Sequence, residues 1–585
     1  MSTVQVNKYS TDNQPVRPFR LGVVVVLVLS SALLLLWRSV DLNILRKDFL
    51  QHQGNARYLR VMPIAAHRGM IRDRNGEPLA ISTPVDSVWV QPQAFINAHE
   101  QWPRIARLLG MKLSDLERDV LPRRTREFAY IKRHIAPHLA ARVMALKIPG
   151  VSLRREYQRY YPTGEVAAHV LGFTNVDDVG QEGMELAWNR WLQGVPGSQR
   201  VLKDRLGRVI KHIELIRKAH PGKDLVLSLD LRLQYLAYRE LKRMVIKQNA
   251  RSASAVILDS HTGEVLAMVN QPSYNPNNRG QLRGANYRNR AVTDVFEPGS
   301  TAKPFTVAAA LESGKYTPQT LIDTAPGVFR IGRYRVRDAR NYGRISVSTV
   351  IQKSSNVGAS KIALSLDPDR LWRAYARVGF GETTGSGFPG EVSGVFTRDR
   401  PWHDIERATL AYGYGVSVTA LQLARAYMVL ANDGRELPVR FLPPSADDPV
   451  ARGKQVMPVN VARAVRHIME RVVEKGGTAT RAAIPGYRVA GKTGTMKKAV
   501  AGGYSDDRYV SVFAGMAPAS NPRLVMVVVV NEPREGVYYG GLVAAPVFSR
   551  VMSGALRLMN VTPDDVPVQP VTLAALSLAR TGNHP

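Results

Sequence analysis

Three short strings, far apart in the chain, carry side chains that together could perform acyl transfer. They are Ser300-Thr301-Ala302-Lys303, Ser354-Ser355-Asn356 and Lys492-Thr493-Gly494-Thr495. Ser-x-x-Lys, Ser-x-Asn and Lys-Thr-Gly strings in this order are typical of serine enzymes that form an ester with a peptide or lactam carbonyl. Each string alone has an ordinary explanation, such as a capping serine, a solvated lysine or a glycine turn. The combination therefore carries the prediction.

Ser300 is the predicted nucleophile and Lys303 the predicted base. Glu297-Pro298-Gly299 interrupts regular structure just before Ser300, and an apolar, alanine-rich stretch follows, so we expect a helix to begin near Ser300. Residues three apart share one helix face, which brings the amine within reach of the hydroxyl. A lysine is normally protonated at neutral pH, so this role requires burial or a neighbouring cation to lower its pKa. Lys492 is the predicted cation.

The third string is predicted to border the cleft on an antiparallel sheet. Residues 487–490 read as a short strand before Lys492, and residues 508–514 and 524–531 read as two more. Gly494 would leave room for a substrate backbone to join the sheet as an extra strand. Lys492 and the threonine hydroxyls would suit a peptide carboxylate. Ser354 and Asn356, in a turn between helical segments, are predicted to relay a proton and to hold Lys303.

With these strings in place, the sequence resembles the class B penicillin-binding proteins, most closely those of the division septum in Gram-negative bacteria. The resemblance extends from the N-terminal apolar run to about residue 565 and includes further short matches. These are Arg68-Gly69, Asp73-Arg74-Asn75-Gly76, Arg159-Tyr160-Tyr161-Pro162, Gly180-Gln181-Glu182-Gly183 with Glu185, Pro389-Gly390-Glu391, Tyr412-Gly413-Tyr414-Gly415 and Tyr538-Tyr539-Gly540-Gly541.

The resemblance implies a peptidoglycan D,D-transpeptidase that cross-links stem peptides during septal cell-wall synthesis and is inhibited by β-lactams. It implies an acyl-enzyme on Ser300 and an oxyanion hole made by the backbone N–H groups of Ser300 and Thr495. No metal site and no cofactor are expected. The implied catalytic residues are Ser300, Lys303, Ser354, Asn356 and Lys492. The implied substrate-binding residues are Thr493, Gly494, Thr495, Ser355 and Tyr414.

The resemblance also implies partners. These are peptidoglycan stem peptides on glycan strands derived from lipid II, β-lactams, the membrane, an FtsW-type glycosyltransferase and the division proteins FtsQ, FtsL, FtsB and FtsN. Two other functions stay open. A membrane-anchored serine β-lactamase would need an activated water, with Glu382 or Glu391 as its base. A division scaffold with a decayed site is the second alternative, although all the catalytic residues are intact.

Residues 21–37 form an apolar run without charges, just long enough to cross the hydrocarbon of a membrane. No small-x-small cleavage site follows it, so we predict a retained signal anchor rather than a cleaved peptide. Lys8, Arg17 and Arg20 favour a cytoplasmic N-terminus. The anchor would then cross the inner membrane, and the remainder of the chain would lie in the periplasm.

Composition limits the remaining functions. The 585 residues exceed one ordinary core, so several domains are expected. The chain has no cysteine, which excludes disulfides and thiolate chemistry. His134 and His138 have the spacing of helical metal ligands, but Pro137 interrupts them and no third ligand is near. The net charge of +32 would suit nucleic acid, but the predicted anchor argues for anionic lipid or acidic partners instead.

The predicted fold class is α+β, with one transmembrane anchor, an elongated mixed pedestal and a transpeptidase domain like those of penicillin-binding proteins and serine β-lactamases. An early hairpin, a helical middle and late strands that return to pair with the hairpin predict an antiparallel sheet with helices on both sides. The predicted divisions are a cytoplasmic tail at 1–20, a transmembrane helix at 21–37, a non-catalytic, dimerisation-like pedestal at 38–221, a transpeptidase domain at 222–565 and a flexible tail at 566–585.

Overall fold

The computed structural model describes residues 18–49, 59–203, 209–278, 284–396, 400–444 and 453–565. The predicted tail at 566–585 and most of the predicted cytoplasmic tail, residues 1–17, lie outside these ranges. The described chain forms two compact units. The first draws on Met1–Ala65, Asp86–Arg155 and Pro196–His220, and the second on Ala66–Val85, Glu156–Val195 and Pro221–Pro585. The second unit thus includes two stretches that precede the predicted boundary at residue 221.

The first unit begins with the apolar helix Pro18–Val40, which continues as a π-helical turn, Asp41–Leu45. The helical stretch Phe19–Leu45 is long and apolar enough to cross a membrane. The charged groups at its C-terminal end pair locally, because Arg38 and Arg46 each contact a different oxygen of Asp41, at 2.8 and 3.0 Å. This helix is a candidate membrane anchor, and it is longer than the predicted run.

The rest of the first unit has a small core and a separate sheet. The rings of Phe95 and Trp102 stack at 4.8 Å in the core, and both are fully buried. The sheet joins Leu59–Ile64, Gly197–Lys203 and Val209–Arg217 in antiparallel order. The last of these strands is exposed along its whole length.

The helices of the first unit after the apolar segment are Pro92–Ile96, Trp102–Leu109, Leu113–Val120 and Pro137–Ala145, with 3₁₀ turns at His99–Gln101 and Leu121–Arg123. Its other strands are Ala129–Ile135 and the parts of Pro78–Val90 and Val151–Tyr160 that fall within its ranges. His134 lies in the strand Ala129–Ile135 and His138 lies in the helix that follows, so the two do not share a helix face.

The second unit is built around a five-stranded antiparallel sheet, which we call the central sheet. Its strands run in the order Val265–Gln271, Ser252–Asp259, Leu524–Asn531, Gly503–Ala517 and Ala490–Val500. The early hairpin is thus joined to the late strands, as predicted, because Ser252–Asp259 pairs with Leu524–Asn531 over their full length.

Helices cover both faces of the central sheet, which explains why its middle strands are buried on both sides. Leu231–Lys247 and Ala545–Leu558 contact each other and the sheet, and Ala420–Ala431 and Val459–Glu470 form a second such pair. The helix Leu231–Lys247 is capped at its N-terminus by Asp230, whose carboxylate accepts a hydrogen bond from the backbone N–H of Arg232 at 3.0 Å. The predicted α+β fold class, with helices on both sides of an antiparallel sheet, is confirmed.

The remaining helices of the second unit are Ala168–Leu171, Gly183–Ala187, Asn189–Leu192, Arg290–Thr293, Lys303–Glu312, Val347–Lys353, Asn356–Ser365, Pro368–Arg377, Asp404–Leu410 and Gly540–Val543, with 3₁₀ turns at Gly299–Ala302 and Thr480–Ala482. Its small strands are Ile71–Arg72, Leu225–Val226, Leu321–Asp323, Val328–Ile331, Tyr334–Arg337, Arg344–Ser346, Arg435–Glu436 and Lys454–Gln455.

A buried charge cluster in the second unit explains several of the short sequence matches. Glu185 is fully buried and binds Arg68 through one carboxylate oxygen and Arg159 through the other, each at 2.6 Å. Arg159 also donates to the backbone oxygen of Gly69 at 2.8 Å. Removing one partner of such a cluster leaves a buried charge unpaired, at a cost of about 3–5 kcal/mol. These matched residues therefore support the fold of this unit.

Candidate active site

Ser300 lies in the 3₁₀ turn Gly299–Ala302, which leads directly into the helix Lys303–Glu312. The predicted helix start is therefore displaced by about one turn. The turn depends on Gly299, whose φ of +52° lies in the left-handed region that favours glycine. Despite the displacement, Oγ of Ser300 and Nζ of Lys303 are 3.0 Å apart.

The amine of Lys303 is fully buried and surrounded by oxygen atoms. Besides Ser300 it contacts the backbone oxygen of Ser354 at 2.7 Å, Oδ1 of Asn356 at 2.7 Å and Oγ of Ser354 at 3.1 Å. Burial, reinforced by the nearby Lys492 ammonium and opposed by the Asp338 carboxylate, holds the pKa of Lys303 well below its usual 10.5.

The contacts of Lys303 match a neutral amine. A neutral amine has two N–H bonds, and two of its neighbours, the Ser354 carbonyl and Oδ1 of Asn356, can only accept. The other amide atom of Asn356, Nδ2, donates to the backbone oxygen of Arg337 at 3.1 Å, which fixes the orientation of the amide. The amine lone pair is then left for a hydroxyl, and those of Ser300 and Ser354 both lie within reach, at 3.0 and 3.1 Å. This arrangement suits a general base.

Ser354 connects the two buried lysines. It follows the helix Val347–Lys353 and adopts a left-handed conformation, with φ of +60°, which is uncommon for a residue with a Cβ. Its Oγ lies 3.1 Å from Nζ of Lys303 and 2.9 Å from Nζ of Lys492. The hydroxyl is therefore placed to pass a proton between the two amines.

Lys492 sits on the strand Ala490–Val500, which is the outermost strand of the central sheet among the described residues. Lys492 is fully buried, and burial lowers its pKa to about 7. Its amine contacts the backbone oxygen of Thr493 at 3.2 Å. The hydroxyl of Thr493 pairs with that of Thr478 at 2.9 Å, and Oγ1 of Thr495 accepts from the backbone N–H of Gly540 at 2.9 Å.

Glycines let this strand pack closely against its surroundings. A Cβ at Gly494 would lie 3.1 Å from both the backbone oxygen of Pro298 and Cγ2 of Thr301, which belong to the segment around Ser300. A Cβ at Gly540 would lie 2.4 Å from the backbone oxygen of Gly494. A side chain at Gly494 would thus meet tight packing within the protein, which is a second reason for a glycine here besides the predicted approach of a substrate backbone.

Comparison with known proteins places this geometry in a family. The model of the penicillin-binding protein transpeptidase domain matches residues 253–553, and that of the penicillin-binding protein dimerisation domain matches residues 63–227. The chain is 44% identical over 542 residues to the peptidoglycan D,D-transpeptidase FtsI of Escherichia coli, which covers 92% of this chain and 91% of that protein. This chain belongs to the class B penicillin-binding proteins.

Other relatives agree with this assignment. The chain is 41% identical over 554 residues to the probable peptidoglycan D,D-transpeptidase PbpC of Pseudomonas aeruginosa, covering 95% of this chain and 98% of that protein. The solved transpeptidase domain of Burkholderia pseudomallei penicillin-binding protein 3 is 43% identical, with a TM-score of 0.54, and covers 58% of this chain and 97% of its own. A peptidoglycan synthetase from Bifidobacterium adolescentis shares the fold at 24% identity, with a TM-score of 0.69 over 87% of this chain and 98% of its own.

In this penicillin-binding protein the five predicted catalytic residues meet in one cluster, in which both lysines are fully buried and the other three residues are half-buried. Thr493, Gly494 and Thr495 lie beside it on the same strand. The ring of Tyr414 packs against those of Tyr412 and Tyr504, at 5.5 and 5.6 Å.

Ser355 differs from the prediction that it contacts substrate. It is fully buried, and its hydroxyl donates to Asp338 at 2.6 Å and accepts from the backbone N–H of Gly358 at 2.9 Å. Both bonds fix the start of the helix Asn356–Ser365, which Ser355 caps.

Asp338 was not predicted from the sequence. Its carboxylate accepts hydrogen bonds from the hydroxyl of Ser355 at 2.6 Å and from the backbone N–H groups of Asn356 at 2.5 Å and Val357 at 3.0 Å. Asp338 therefore holds the segment that supplies three of the four oxygen atoms around the Lys303 amine. No short motif marks it, because the fold brings it to the second string from outside that string.

The polar segment after the third string, from Lys497 to Asp507, forms the end of a β-hairpin. In this hairpin the strands Ala490–Val500 and Gly503–Ala517 continue past the central sheet. We call this part, residues 497–509, the hairpin tip.

Proposed function

We propose that this protein is a peptidoglycan D,D-transpeptidase that cross-links stem peptides during septal cell-wall synthesis. The observation that carries the proposal is the Lys303 amine, buried and poised 3.0 Å from the Ser300 hydroxyl. The relatives named as D,D-transpeptidases support the same reaction. The substrate class is the D-Ala-D-Ala end of a pentapeptide stem.

The first half of the reaction is acylation. Oγ of Ser300 attacks the carbonyl carbon between the two D-alanines while its proton passes to Nζ of Lys303. The backbone N–H groups of Ser300 and Thr495 stabilise the oxyanion. The C–N bond then breaks, and the leaving amine takes a proton delivered through the hydroxyl of Ser354, so that the terminal D-alanine departs and an ester on Ser300 remains.

The second half is transfer. An amine from a neighbouring stem, such as that of meso-diaminopimelate, attacks the ester and loses its proton to the Lys303 amine. The ester C–O bond breaks, Ser300 regains its proton, and the new amide is the cross-link. A β-lactam acylates Ser300 in the same way, but its ring-opened product stays attached and stalls this step.

Substrate binding uses the strand that carries the third string. A Lys492 ammonium next to the hydroxyls of Thr493 and Thr495 suits the terminal carboxylate of the stem. An extended peptide can align with the outer strand Ala490–Val500, as in β-strand addition. The exposed part of Tyr414 borders the same cleft. Asn356 holds Lys303 in place.

The remaining assignments complete the proposal. The apolar helix anchors the protein in the inner membrane with a cytoplasmic N-terminus and a periplasmic catalytic unit. Residues 38–221 act as a non-catalytic pedestal and 222–565 as the transpeptidase domain. By the family's pattern, the partners are an FtsW-type glycosyltransferase and the division proteins FtsQ, FtsL, FtsB and FtsN.

A fluorescent penicillin tests the activity on the detergent-solubilised full chain. We expect a covalent label that persists for many minutes, with an adduct mass on Ser300, and no label on Ser300→Ala. Rapid release of hydrolysed antibiotic would instead indicate a β-lactamase. Cells in which Ser300→Ala supports normal division and cross-linking would indicate a scaffold.

A further inference from the structure

The carboxylate of Glu297 joins three chain segments beside the nucleophile. Glu297 precedes Ser300 by three residues. Its Oε1 accepts a hydrogen bond from the backbone N–H of Gly415 at 2.9 Å and another from the hydroxyl of Tyr504 at 3.0 Å. One oxygen atom thus links the turn before Ser300, the loop at residues 412–415 and the hairpin tip. We call this arrangement the Glu297 junction.

The loop side of the junction encloses the turn closely. The backbone N–H of Gly299 donates to the backbone oxygen of Gly413 at 3.1 Å. Gly413 has a φ of +85°, and a Cβ there would lie 2.1 Å from the backbone oxygen of Gly299. The loop therefore packs against the turn through main-chain atoms, with no room for a side chain at Gly413. Because the packing is this close, a small shift of the loop would also move the turn.

The hairpin side encloses the turn as well. A Cβ at Gly299 would lie 2.4 Å from Cγ of Met496, the residue just before the hairpin tip. The ring of Tyr504 also lies 5.6 Å from that of Tyr414, so the tip and the loop contact each other as well as Glu297. The position of Ser300 thus depends on both neighbours of the turn.

The second oxygen of Glu297 indicates that this arrangement is not optimised for stability. Oε2 is buried and has no hydrogen-bond partner among the described residues. A buried polar atom without a hydrogen-bond partner destabilises the folded protein. Burial also raises the pKa of Glu297. A half-buried carboxylate that keeps one buried oxygen without a partner among the described residues, beside a nucleophile, suggests a role in function.

We propose that Glu297 is a positioning residue that clamps the hairpin tip and the loop at 412–415 onto the turn and thereby sets Ser300 for acylation. Glu297 touches neither the reacting atoms nor the Lys303 amine. The inference rests on the proposed acylation of Ser300 and adds to it a contact that holds the nucleophile. Loosening the clamp slows the chemical step because a misplacement of about 1 Å can cost about 100-fold in rate.

Two substitutions test the junction with little change of shape. Glu297→Gln removes the charge but keeps an acceptor, and Tyr504→Phe removes only the donating hydroxyl. Tyr509→Phe is the matched control, because the Tyr509 hydroxyl also belongs to the hairpin but donates within it, to the backbone oxygen of Asp506 at 3.0 Å. Stopped-flow acylation of the full chain by a fluorescent penicillin separates the binding constant from the acylation rate constant.

We expect the acylation rate constant to fall about tenfold in Glu297→Gln and about fivefold in Tyr504→Phe, with the binding constant changed less than twofold. The midpoint of its pH profile should not move, because the base is untouched. The control should stay within twofold of the wild type. Thermal unfolding checks that each variant is folded at the temperature of the assay.

Three results would overturn the inference. The first is a rate constant within twofold of the wild type in folded Glu297→Gln. The second is a loss in Glu297→Gln without one in Tyr504→Phe, which would remove the hairpin tip from the clamp. The third is an equal loss in Tyr509→Phe, which would attribute the effect to general loosening of the hairpin. If the wild type itself fails to acylate, the proposed function fails instead, so the two failures are distinguishable.

Discussion

Two regions of the cleft each bury a lysine completely, yet the atoms around the two amines differ and suit different roles. In the helical region, Lys303 faces two pure acceptors and two hydroxyls, so its contacts favour the neutral amine. In the strand region, Lys492 contacts the hydroxyl of Ser354 at 2.9 Å and the backbone oxygen of Thr493 at 3.2 Å, and burial lowers its pKa only to about 7. An arriving carboxylate would favour its charged form. Equal burial is therefore compatible with the two different roles that we propose, a base for Lys303 and a binding cation for Lys492, because the neighbours differ.

Removal of the proposed base, Lys303, should have the largest effect on acylation. We expect Lys303→Ala to lower the acylation rate constant about 1,000-fold, since general bases contribute on this order. Labelling with fluorescent penicillin measures the loss. Lys353→Ala is the control, because Lys353 is close in sequence but donates to the backbone oxygen of Gly476 outside the cleft. A loss below tenfold in Lys303→Ala would contradict the assignment of the base.

Removing the cation should affect recognition of the carboxylate. We expect Lys492→Gln to lower kcat/KM for a D-Ala-D-Ala peptide about 30-fold, the value of a charged hydrogen bond. The same peptide with a C-terminal amide should lose much less, and the ratio of the two substrates is the measurement. Lys497→Gln is the control, because Lys497 lies on the same strand but pairs with the exposed Asp506. Equal losses for both peptides would contradict the binding role.

The lowered pKa of Lys492 also predicts how stability depends on pH. Between about pH 7 and pH 10.5 the unfolded chain holds a proton on Lys492 that the folded chain has lost. Stability therefore rises with pH in this window, by about 1.4 kcal/mol per unit at most, and the contribution is flat below it. We expect Lys492→Met to remove this rise. Melting temperatures of both proteins at pH 7 and pH 9 test the difference, and parallel changes would contradict it.

The smallest expected effect comes from Asp338, a residue outside the lysine pair that influences the pKa of Lys303 alone of the two lysines. Asp338→Asn keeps an acceptor for the backbone N–H groups but removes the charge that opposes the lowering of the Lys303 pKa. We expect the acidic limb of the acylation profile to move to lower pH by about one unit, with the plateau changed less than threefold. Asp506→Asn serves as the control at an exposed carboxylate. A shift to higher pH would contradict the electrostatic role.

The sequence predicts the parts of the site that depend on local spacing. Ser300 and Lys303 are one helical turn apart, and Ser354 and Asn356 lie at a break between helices, so short strings suffice to locate them. The strand Leu524–Asn531 was predicted with its observed bounds because it is continuously apolar.

Parts that depend on distant contacts could not be predicted in this way. Asp338 and Tyr504 each bond to residues that are distant in the sequence, and no local pattern predicts such contacts. The hairpin tip is polar on both faces, so its strands lack the alternation that marks a half-buried strand. The role of Gly494 also required the structure, since only the neighbouring turn reveals why a side chain is excluded.

The backbone contacts of Gly413, Gly494 and Gly540 have a consequence for drug resistance. At each of these positions a methyl group would press on main-chain atoms that cannot swing aside. Enlarging Gly413 would therefore displace the turn that carries the serine attacked by the antibiotic, and enlarging Gly540 would displace the strand that carries the third string. Escape mutations should instead accumulate at flexible side chains around the rim, where the normal peptide and the drug can still be told apart.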